Sequence, residues 1–304
     1  MFTKRLRGLR ATFGTVAQDW LELRRDEVKP ATLANYRTLF RAHLLPEFGP
    51  LPVCRITEAR VRNYLDRLAA SGLSTSTRRS IQLTLQMILR HAAGQGLMRP
   101  VNFPPLPTLR RQPTVILSDA EFFQLEDTLR RHLDGRALGI LLCMYTGLRI
   151  GEVCALRWGD IDLAAGMVTV SRTLQRISDG PGTHILIDTP KSQNSIRSIP
   201  LPRPLLDLMR PFAGPPTAYL LTGGPGFMEP RQLQRQFKCI LAASGLRPVK
   251  FHTLRHTFAT RCAPLTDPKT LSRLLGHGSI ATTMDVYVHP GTEQLRRCLE
   301  RLSA

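Results

Sequence analysis

Acidic residues are scarce in this 304-residue sequence: 23 Asp and Glu stand against 42 Lys and Arg, a formal net charge of +19. Aromatic residues make up only 6% of the chain. The hydrophobic share is nevertheless 42%, so the chain can bury a core, and its length allows two of them. The excess of positive charge indicates a polyanionic partner, and nucleic acid is the first candidate because neutralised phosphates release counterions.

Several kinds of segment and site are missing from the sequence. No apolar run approaches the length of a membrane span, and the basic N-terminus lacks an apolar signal core, so we expect a soluble protein. The six cysteines include no CxxC pair, which favours buried free thiols in a reducing compartment over disulfides or zinc ligands. Without a carboxylate cluster or a Cys/His ligand spacing, we expect no metal, and a two-metal nuclease is disfavoured.

The composition divides the chain into four parts. Residues 1–13 form a short basic tail, and residues 14–98 show four helical patterns without a strand signal. Residues 99–113 contain five prolines, which is typical of an extended linker, and residues 114–304 follow as a second domain. Residues 1–113 hold 19 Lys and Arg against 7 Asp and Glu, so the smaller domain is the more basic one. Arg78 and Arg79, at the start of its fourth helix, are candidate phosphate contacts.

The second domain combines helices with a little strand character. Ser118 and Glu121 form a capping-box pattern that predicts the start of a helix, and a mostly apolar helix over 137–145 stops at Thr146-Gly147. β-branched or alternating residues at 167–171, 184–188 and 196–201 predict three strands. We therefore expect a mainly α fold with a small β-sheet (α+β) after an all-α N-terminal domain.

The segment from His252 to Tyr287 carries the densest chemistry. The helical period over 252–262 places His252, Arg255 and His256 on one face. The Asp267-Pro268 pair predicts the start of another helix, and Gly276 predicts its end, so that His277 leaves from a helix terminus. We expect Tyr287 on a separate short helix.

Six residues after the linker have side chains suited to work on a phosphate: Arg149, Lys191, His252, Arg255, His277 and Tyr287. Singly, each has an ordinary explanation; Glu152, for example, is a possible partner for Arg149. Together they supply guanidiniums for the non-bridging oxygens, groups for proton transfer and a hydroxyl nucleophile.

Three motifs resemble the signature of the tyrosine recombinase (phage integrase) family. They are TGLRIGE at 146–152, HTLRH at 252–256, and LLGH at 274–277 with Tyr287 ten residues further on. In addition, TPK at 189–191 with RSIP at 197–200 resembles the β-hairpin lysine segment of the family. The helical N-terminal half is similar, with less specific motifs, to the core-binding, SAM-like domain of the family.

The resemblance implies a role for each of the six residues. Arg149 and Arg255 would clamp the scissile phosphate of double-stranded DNA, and Tyr287 would attack it to form a 3′-phosphotyrosyl link. Lys191 would protonate the leaving 5′-hydroxyl, His252 would assist proton transfer at the tyrosine, and His277 would hydrogen-bond the phosphate. The energy of the broken bond is stored in the covalent link, so the implied reaction needs no ATP, no metal and no other cofactor.

The resemblance also implies an assembly and a location. We expect a homo-oligomer, a tetramer on DNA, in the cytoplasm and at the nucleoid when DNA is bound. A leucine stripe at Leu295, Leu299 and Leu302 would dock either on a neighbouring subunit or on its own domain. Since only residues 1–13 precede the first domain, the chain would be either a simple two-domain recombinase or a shortened form of one with an arm-site-binding domain.

The sequence is also compatible with two alternative functions. A type IB topoisomerase has a similar fold and the same tyrosine chemistry but relaxes supercoils as a monomer; the core-binding domain and the leucine stripe argue against it. A recombinase-like DNA-binding protein without catalysis would be expected to lack one of the six residues, and all six are present.

Overall fold

A computed structural model describes residues 11–109, 114–179, 182–188 and 196–276, together with residue 284. These residues fall into two compact units. The first contains the described residues up to 109 and those of the segment Ile177–His184, and the second contains the remainder. No helix in the described ranges has both the length and the apolar character needed to cross a membrane.

The first unit is a bundle of helices in which polar residues cap the helix starts. Its elements are α1 (Phe13–Leu23), α2 (Pro30–Leu39), a π-helical turn (Phe40–Leu44), α3 (Leu45–Phe48), α4 (Glu58–Ala70) and α5 (Thr75–Gly94). Side-chain oxygens of Thr12, Thr57 and Ser74 accept backbone N–H groups at the starts of α1, α4 and α5. Pro46 lies in the first turn of α3, where the backbone N–H that proline lacks would have no partner within the helix.

Aromatic rings form the centre of this unit. The rings of Phe13 and Phe48 are 5.5 Å apart, and those of Phe48 and Tyr64 are 5.0 Å apart. Part of the proline-rich segment also packs here, because Gln82 on α5 donates to the Pro104 carbonyl at 2.8 Å and Arg79 donates to the Pro107 carbonyl at 3.2 Å. The backbone at Pro104 and Pro107 is thus held against α5.

Helices dominate the second unit: α6 (Asp119–Arg131), α7 (Gly135–Thr146), α8 (Ile150–Ala155), α9 (Arg203–Met209), α10 (Pro230–Ala243), α11 (His252–Cys262) and α12 (Pro268–Leu275). The predicted capping box at the start of α6 is confirmed, with Ser118 and Glu121 each bonding the backbone of the other. The predicted start and end of α12 are confirmed as well, since Asp267 caps it and the left-handed Gly276 ends it.

Two small sheets accompany these helices, and the second of them includes described residues of the segment Ile177–His184, which belongs to the first unit. Strands β1 (Ile161–Asp162), β2 (Met167–Val170) and β5 (Arg197–Pro200) form one antiparallel sheet, and β3 (Thr173–Asp179) pairs with β4 (Gly182–Asp188) in the other. A hairpin of β4 and β5 was expected around Lys191, but β4 pairs with β3 while β5 lies against β2, in a register that sets Ile199 opposite Val168. This register buries Ile199 and Val168 together. The segment that carries Lys191 therefore connects two different sheets.

Helix α7 is the central helix of the second unit, and its end sets the position of the motif that follows. Most of its side chains are buried, and α11 packs against it. It stops at Gly147, whose φ of +67° is a left-handed conformation that favours glycine. A Cβ atom at this position would also lie 2.5 Å from Phe258 Cδ1. Both the backbone conformation and the close approach of Phe258 therefore require glycine at position 147, where the chain turns towards Arg149.

Candidate active site

Arg149 lies at the N-terminus of α8, two residues after Gly147. Its backbone N–H donates to Glu152 Oε2 at 2.8 Å, and its guanidinium donates to Glu152 Oε1 at 3.0 Å. The side chain is still 39% exposed. Glu152 is therefore the partner of Arg149, as the sequence suggested. The pairing leaves part of the Arg149 guanidinium accessible to an anion from solvent.

Arg255, on α11, is a buried guanidinium that joins the ends of two other helices. The residue is only 2% exposed. It donates from NH1 to the Gly147 carbonyl at 2.8 Å and from NH2 to the Leu275 carbonyl at 2.7 Å. These carbonyls belong to the C-terminal ends of α7 and α12, where helices carry partial negative charge. The bonds fix the orientation of Arg255 and compensate for the burial of its charge.

The two arginines meet at the C-terminal end of α12. Arg149 NH2 donates to the Gly276 carbonyl at 3.4 Å, and Arg255 bonds the carbonyl of Leu275, the residue before it. His277 is the next residue in the chain. Arg149 and Arg255 are separated by more than a hundred positions in sequence, so it is the packing of α7, α11 and α12 that brings them together.

A third arginine, Arg197 on β5, contacts both Glu152 and the C-terminal end of α12. It donates from NH1 to Glu152 Oε1 at 3.0 Å and from NH2 to Glu152 Oε2 at 2.9 Å, so the pair is bidentate. Its Nε donates to the Leu274 carbonyl at 2.8 Å. The side chains of Arg197 and Glu152 are 6% and 4% exposed, which makes this a buried ion pair.

Glu152 remains ionised despite its burial. Burial alone would raise the pKa of this carboxyl. The hydrogen bonds and charge of Arg197, the charge of Arg149 and the backbone N–H of Arg149 outweigh that effect and hold the pKa below its usual value. The Glu152 carboxylate therefore pairs with the guanidiniums of both Arg149 and Arg197, and these three groups together carry a net positive charge.

His252 and His256 lie one turn apart on α11, as the helical period predicted, with ring centroids 4.6 Å apart. Desolvation by the surrounding protein, His256, Arg255 and Arg149 together lower the pKa of His252 to about 4. Desolvation and Arg255 likewise lower the pKa of His256. Both rings are thus neutral near pH 7 and able to accept a proton.

The lowered pKa of His252 should make the stability of the protein depend on pH. The pKa of His252 is about 4 in the folded protein against an ordinary 6.5, so the unfolded chain binds more protons between these values. The free energy of unfolding should therefore fall as the pH falls from about 6.5 towards 4. Urea denaturation of the wild type and of His252→Gln over this range tests the effect. Between pH 6.5 and 4, the free energy of unfolding should fall less for the variant than for the wild type. If the free energy of unfolding falls equally with pH in both proteins, the lowered pKa of His252 is wrong.

Three of the six predicted residues, Lys191, His277 and Tyr287, lie outside the described residues. The structure brings the other three together: Arg149, His252 and Arg255. Arg78 and Arg79 belong to the first unit. There Arg78 NH2 donates to Thr75 Oγ1 at 3.1 Å and Arg79 bonds the Pro107 carbonyl, and both side chains are half-buried. Their role as phosphate contacts stays a prediction.

Two features near the site, Arg197 and a basic groove beside His252, were not assigned a role from the sequence. Arg197 had a usable signal: with Ile199 it occupies the inward positions of a strand, and an arginine at such a position requires a buried acidic partner. The groove has a volume of about 560 Å³ and includes four cations from α10 and the loop before α11: Arg231, Arg235, Lys238 and Lys250. Residues 231, 235 and 238 follow the spacing of one helix face, which the sequence also contained.

Comparison with known families gives two matches that together span most of the chain. Residues 123–294 match the family described as "Phage integrase family", and residues 12–69 match "Phage integrase, N-terminal SAM-like domain". Among individual proteins, the chain is 27% identical to a "Tyrosine recombinase XerC-like" of Caldanaerobacter subterraneus, with 96% of this chain and 83% of the relative covered. It is 28% identical to a "Putative prophage phiRv2 integrase" of Mycobacterium tuberculosis, with 90% and 73% covered.

Solved structures show the same fold. The Tn1549 transposon integrase in complex with a circular intermediate DNA superimposes with a TM-score of 0.77 at 23% identity, covering 96% of this chain and 99% of that one. A lambda integrase dimer bound to a core site gives 0.67 at 18% identity, covering 93% and 79%. The predicted fold class, a mainly α catalytic domain with a small sheet after an all-α SAM-like domain, is confirmed.

These relatives are named as recombinases and integrases, which favours site-specific recombination over the topoisomerase and non-catalytic alternatives. The integrase match alone, over residues 123–294, covers more than half of the chain. This protein therefore belongs to the phage integrase family of tyrosine recombinases, the enzymes that break and rejoin DNA strands in site-specific recombination.

Proposed function

We propose that the cluster around Glu152 is the phosphate-binding half of the strand-cleavage site, with Arg149 and Arg255 as the ligands of the scissile phosphate. The convergence of these two arginines at the end of α12, next to His252, carries the proposal. Guanidiniums held in place before the phosphate arrives stabilise the extra charge of a pentacoordinate transition state without reorganising. Lys191, His277 and Tyr287 complete the site in this proposal.

The chemistry assigned to these residues is a balanced phosphoryl transfer. The Tyr287 hydroxyl loses its proton, for which His252 is the acceptor or relay, and its oxygen attacks phosphorus. The bond from phosphorus to the 5′-oxygen breaks, and that oxygen takes a proton from Lys191. The products are a 3′-phosphotyrosyl link and a free 5′-hydroxyl. Attack by the 5′-hydroxyl of another strand reverses the step and joins the DNA.

A histidine in the position of His252 suits proton transfer because of its surroundings. Desolvation, His256, Arg255 and Arg149 together lower its pKa, and the two arginines would also bind the phosphate. Bound phosphate brings negative charge close to the ring, which raises its pKa towards neutrality. His252 would therefore become a better proton acceptor when substrate arrives.

Double-stranded DNA is the proposed substrate and partner. The chain is strongly basic, and the groove beside His252 adds four cations close to the proposed phosphate site. The Tn1549 and lambda integrases with the same fold are bound to DNA in their structures. A tetramer on DNA, a cytoplasmic and nucleoid location, and phosphate contacts by Arg78 and Arg79 belong to the same proposal.

The proposed division of labour follows the predicted domains. Residues 14–98 would be the core-binding domain, 99–113 the linker and 114–304 the catalytic domain. The first of these would grip the duplex, while the last holds the six catalytic residues. The match of residues 12–69 to the N-terminal SAM-like domain of integrases supports this division.

A nicked suicide DNA substrate tests the proposed function. Cleavage next to the nick releases a short oligonucleotide, so the enzyme cannot rejoin the strand and stays attached to the DNA. The wild-type protein should form a protein–DNA adduct that survives denaturing electrophoresis, and protease digestion followed by mass spectrometry should place the nucleotide on Tyr287. The substrate is built from a DNA segment that the protein selects from fragmented genomic DNA by specific binding. If the protein binds this segment and forms no adduct, the proposed cleavage site is wrong.

A further inference from the structure

We propose that Arg197 is a positioning residue for DNA cleavage: it holds Glu152, and through Glu152 it orients the phosphate-binding Arg149. This inference rests on the proposed role of Arg149. Arg197 would not contact the phosphate itself, and it would act on the phosphate through the Glu152 carboxylate and Arg149. Three observations support it: the geometry of the bonds, the balance of charge, and the contacts with the end of α12.

The geometry places Glu152 between two guanidiniums. Arg197 bonds both carboxylate oxygens, at 3.0 and 2.9 Å, and fixes the plane of the carboxylate from below. On the other side, Oε1 accepts from the Arg149 guanidinium and Oε2 from the Arg149 backbone N–H. The direction in which Arg149 is held therefore depends on a carboxylate that Arg197 orients.

The balance of charge gives Arg197 a second effect on Arg149. The Glu152 carboxylate is buried and ionised, and without Arg197 its whole negative charge would pair with Arg149. An arginine neutralised in this way attracts a phosphate less strongly. With Arg197 present, the three groups carry a net charge of one positive unit, and the Arg149 guanidinium is the one that is 39% exposed.

Arg197 also contacts the C-terminal end of α12, which Arg149 and Arg255 bond as well. Arg197 Nε donates to the Leu274 carbonyl at 2.8 Å. Gly276 lies so close that a Cβ atom there would be 2.8 Å from Arg197 NH1. Arg255 and Arg149 bond the carbonyls of the two residues after Leu274. Arg197 thus fixes the helix end at which the proposed phosphate ligands converge.

The first test compares Arg197→Met with Arg172→Met on the suicide substrate under saturating, single-turnover conditions. Arg172 is the matched control, because its guanidinium pairs with Asp160 at 2.6 Å in the same unit and has no bond to Glu152 among its described contacts. Arg197→Met should lower the cleavage rate about 100-fold, the size expected for a misplaced reacting group, with DNA affinity nearly unchanged. Arg172→Met should cleave at close to the wild-type rate.

A substrate with a methylphosphonate at the scissile position separates positioning from general damage. This group lacks one of the negative non-bridging oxygens, so it depends less on a correctly placed Arg149. The rate loss of Arg197→Met should shrink to within about threefold on this substrate if the residue acts on transition-state charge. Equal losses on the phosphodiester and the methylphosphonate would overturn the proposal.

The double variant Glu152→Gln with Arg197→Met covers the case in which the single variant folds poorly. It removes both buried charges, so its urea unfolding midpoint should return towards that of the wild type. Its cleavage rate should remain at least about tenfold low, because Arg149 has lost its oriented carboxylate. A double variant that cleaves like the wild type overturns this inference alone. A wild-type protein that forms no adduct overturns the proposed function instead.

Discussion

The substitution Tyr287→Phe should abolish the covalent protein–DNA adduct and leave DNA binding intact. It removes one oxygen atom, the proposed nucleophile, and no charge that attracts DNA. Loss of a covalent nucleophile should lower the rate by about 10⁴-fold or more, below detection on a suicide substrate. The measurements are adduct yield on a denaturing gel and affinity by native gel shift. Both use the same DNA and the same protein concentrations.

The other four tyrosines are poorly suited to the role, which makes this prediction specific. Burial, followed by the charge of Glu47, raises the pKa of Tyr64 to about 12. Burial and a hydrogen bond to Glu126 also raise the pKa of Tyr145. A nucleophilic tyrosine needs the opposite shift, because the phenolate attacks phosphorus. Tyr36 packs against the Trp20 ring at 5.2 Å, and the Tyr219 hydroxyl accepts a hydrogen bond from Arg157 at 3.1 Å.

The matched control is Tyr145→Phe, which makes the same chemical change at a described tyrosine of the second unit. The Tyr145 hydroxyl donates to Glu126 Oε1 at 2.7 Å, so its removal should cost about 1 kcal/mol of stability. Adduct formation by this variant should match the wild type. If Tyr287→Phe still forms an adduct, Tyr287 is not the nucleophile. Mass spectrometry would then identify the residue that is attached to the DNA.

The sequence could predict the parts of the fold that depend on local patterns. The helix over 252–262 and the caps at Ser118 and Asp267 follow from residues close to one another in the chain. The left-handed end at Gly276 is of the same kind. Local periodicity was also enough to place His252 and His256 on one face of α11.

Sheet pairing and the buried ion pair depend on contacts between distant residues, and here local patterns were insufficient. The strand signals before and after Lys191 suggested one hairpin, although each strand pairs with an earlier one. Nothing in the short RSIP motif identifies Glu152, 45 positions away, as the partner of Arg197. The three-way cluster of Arg149, Glu152 and Arg197 follows only from the packing of β5 and α8 in three dimensions.

Arg255→Met should have the second largest effect, because it would damage both the fold and the proposed chemistry. The Gly147 and Leu275 carbonyls would each lose a buried hydrogen bond, which should cost about 2–4 kcal/mol in total. Removal of a guanidinium that stabilises transition-state charge should lower the cleavage rate by a further 10²- to 10³-fold, approximately. Urea denaturation measures the first effect. Single-turnover cleavage, well below the unfolding transition, measures the second.

Arg261→Met is the control for Arg255→Met, since both change an arginine to methionine on α11. Arg261 lies at the surface, where it pairs with Asp119 and lies over the Phe122 ring at 4.3 Å. Its loss should cost about 1 kcal/mol or less and leave cleavage unchanged. If Arg255→Met lost stability and still cleaved at the wild-type rate, Arg255 would be a purely structural link between the ends of α7 and α12. Arg149 would then have to supply most of the charge stabilisation at the phosphate, because it is the exposed guanidinium of the described cluster.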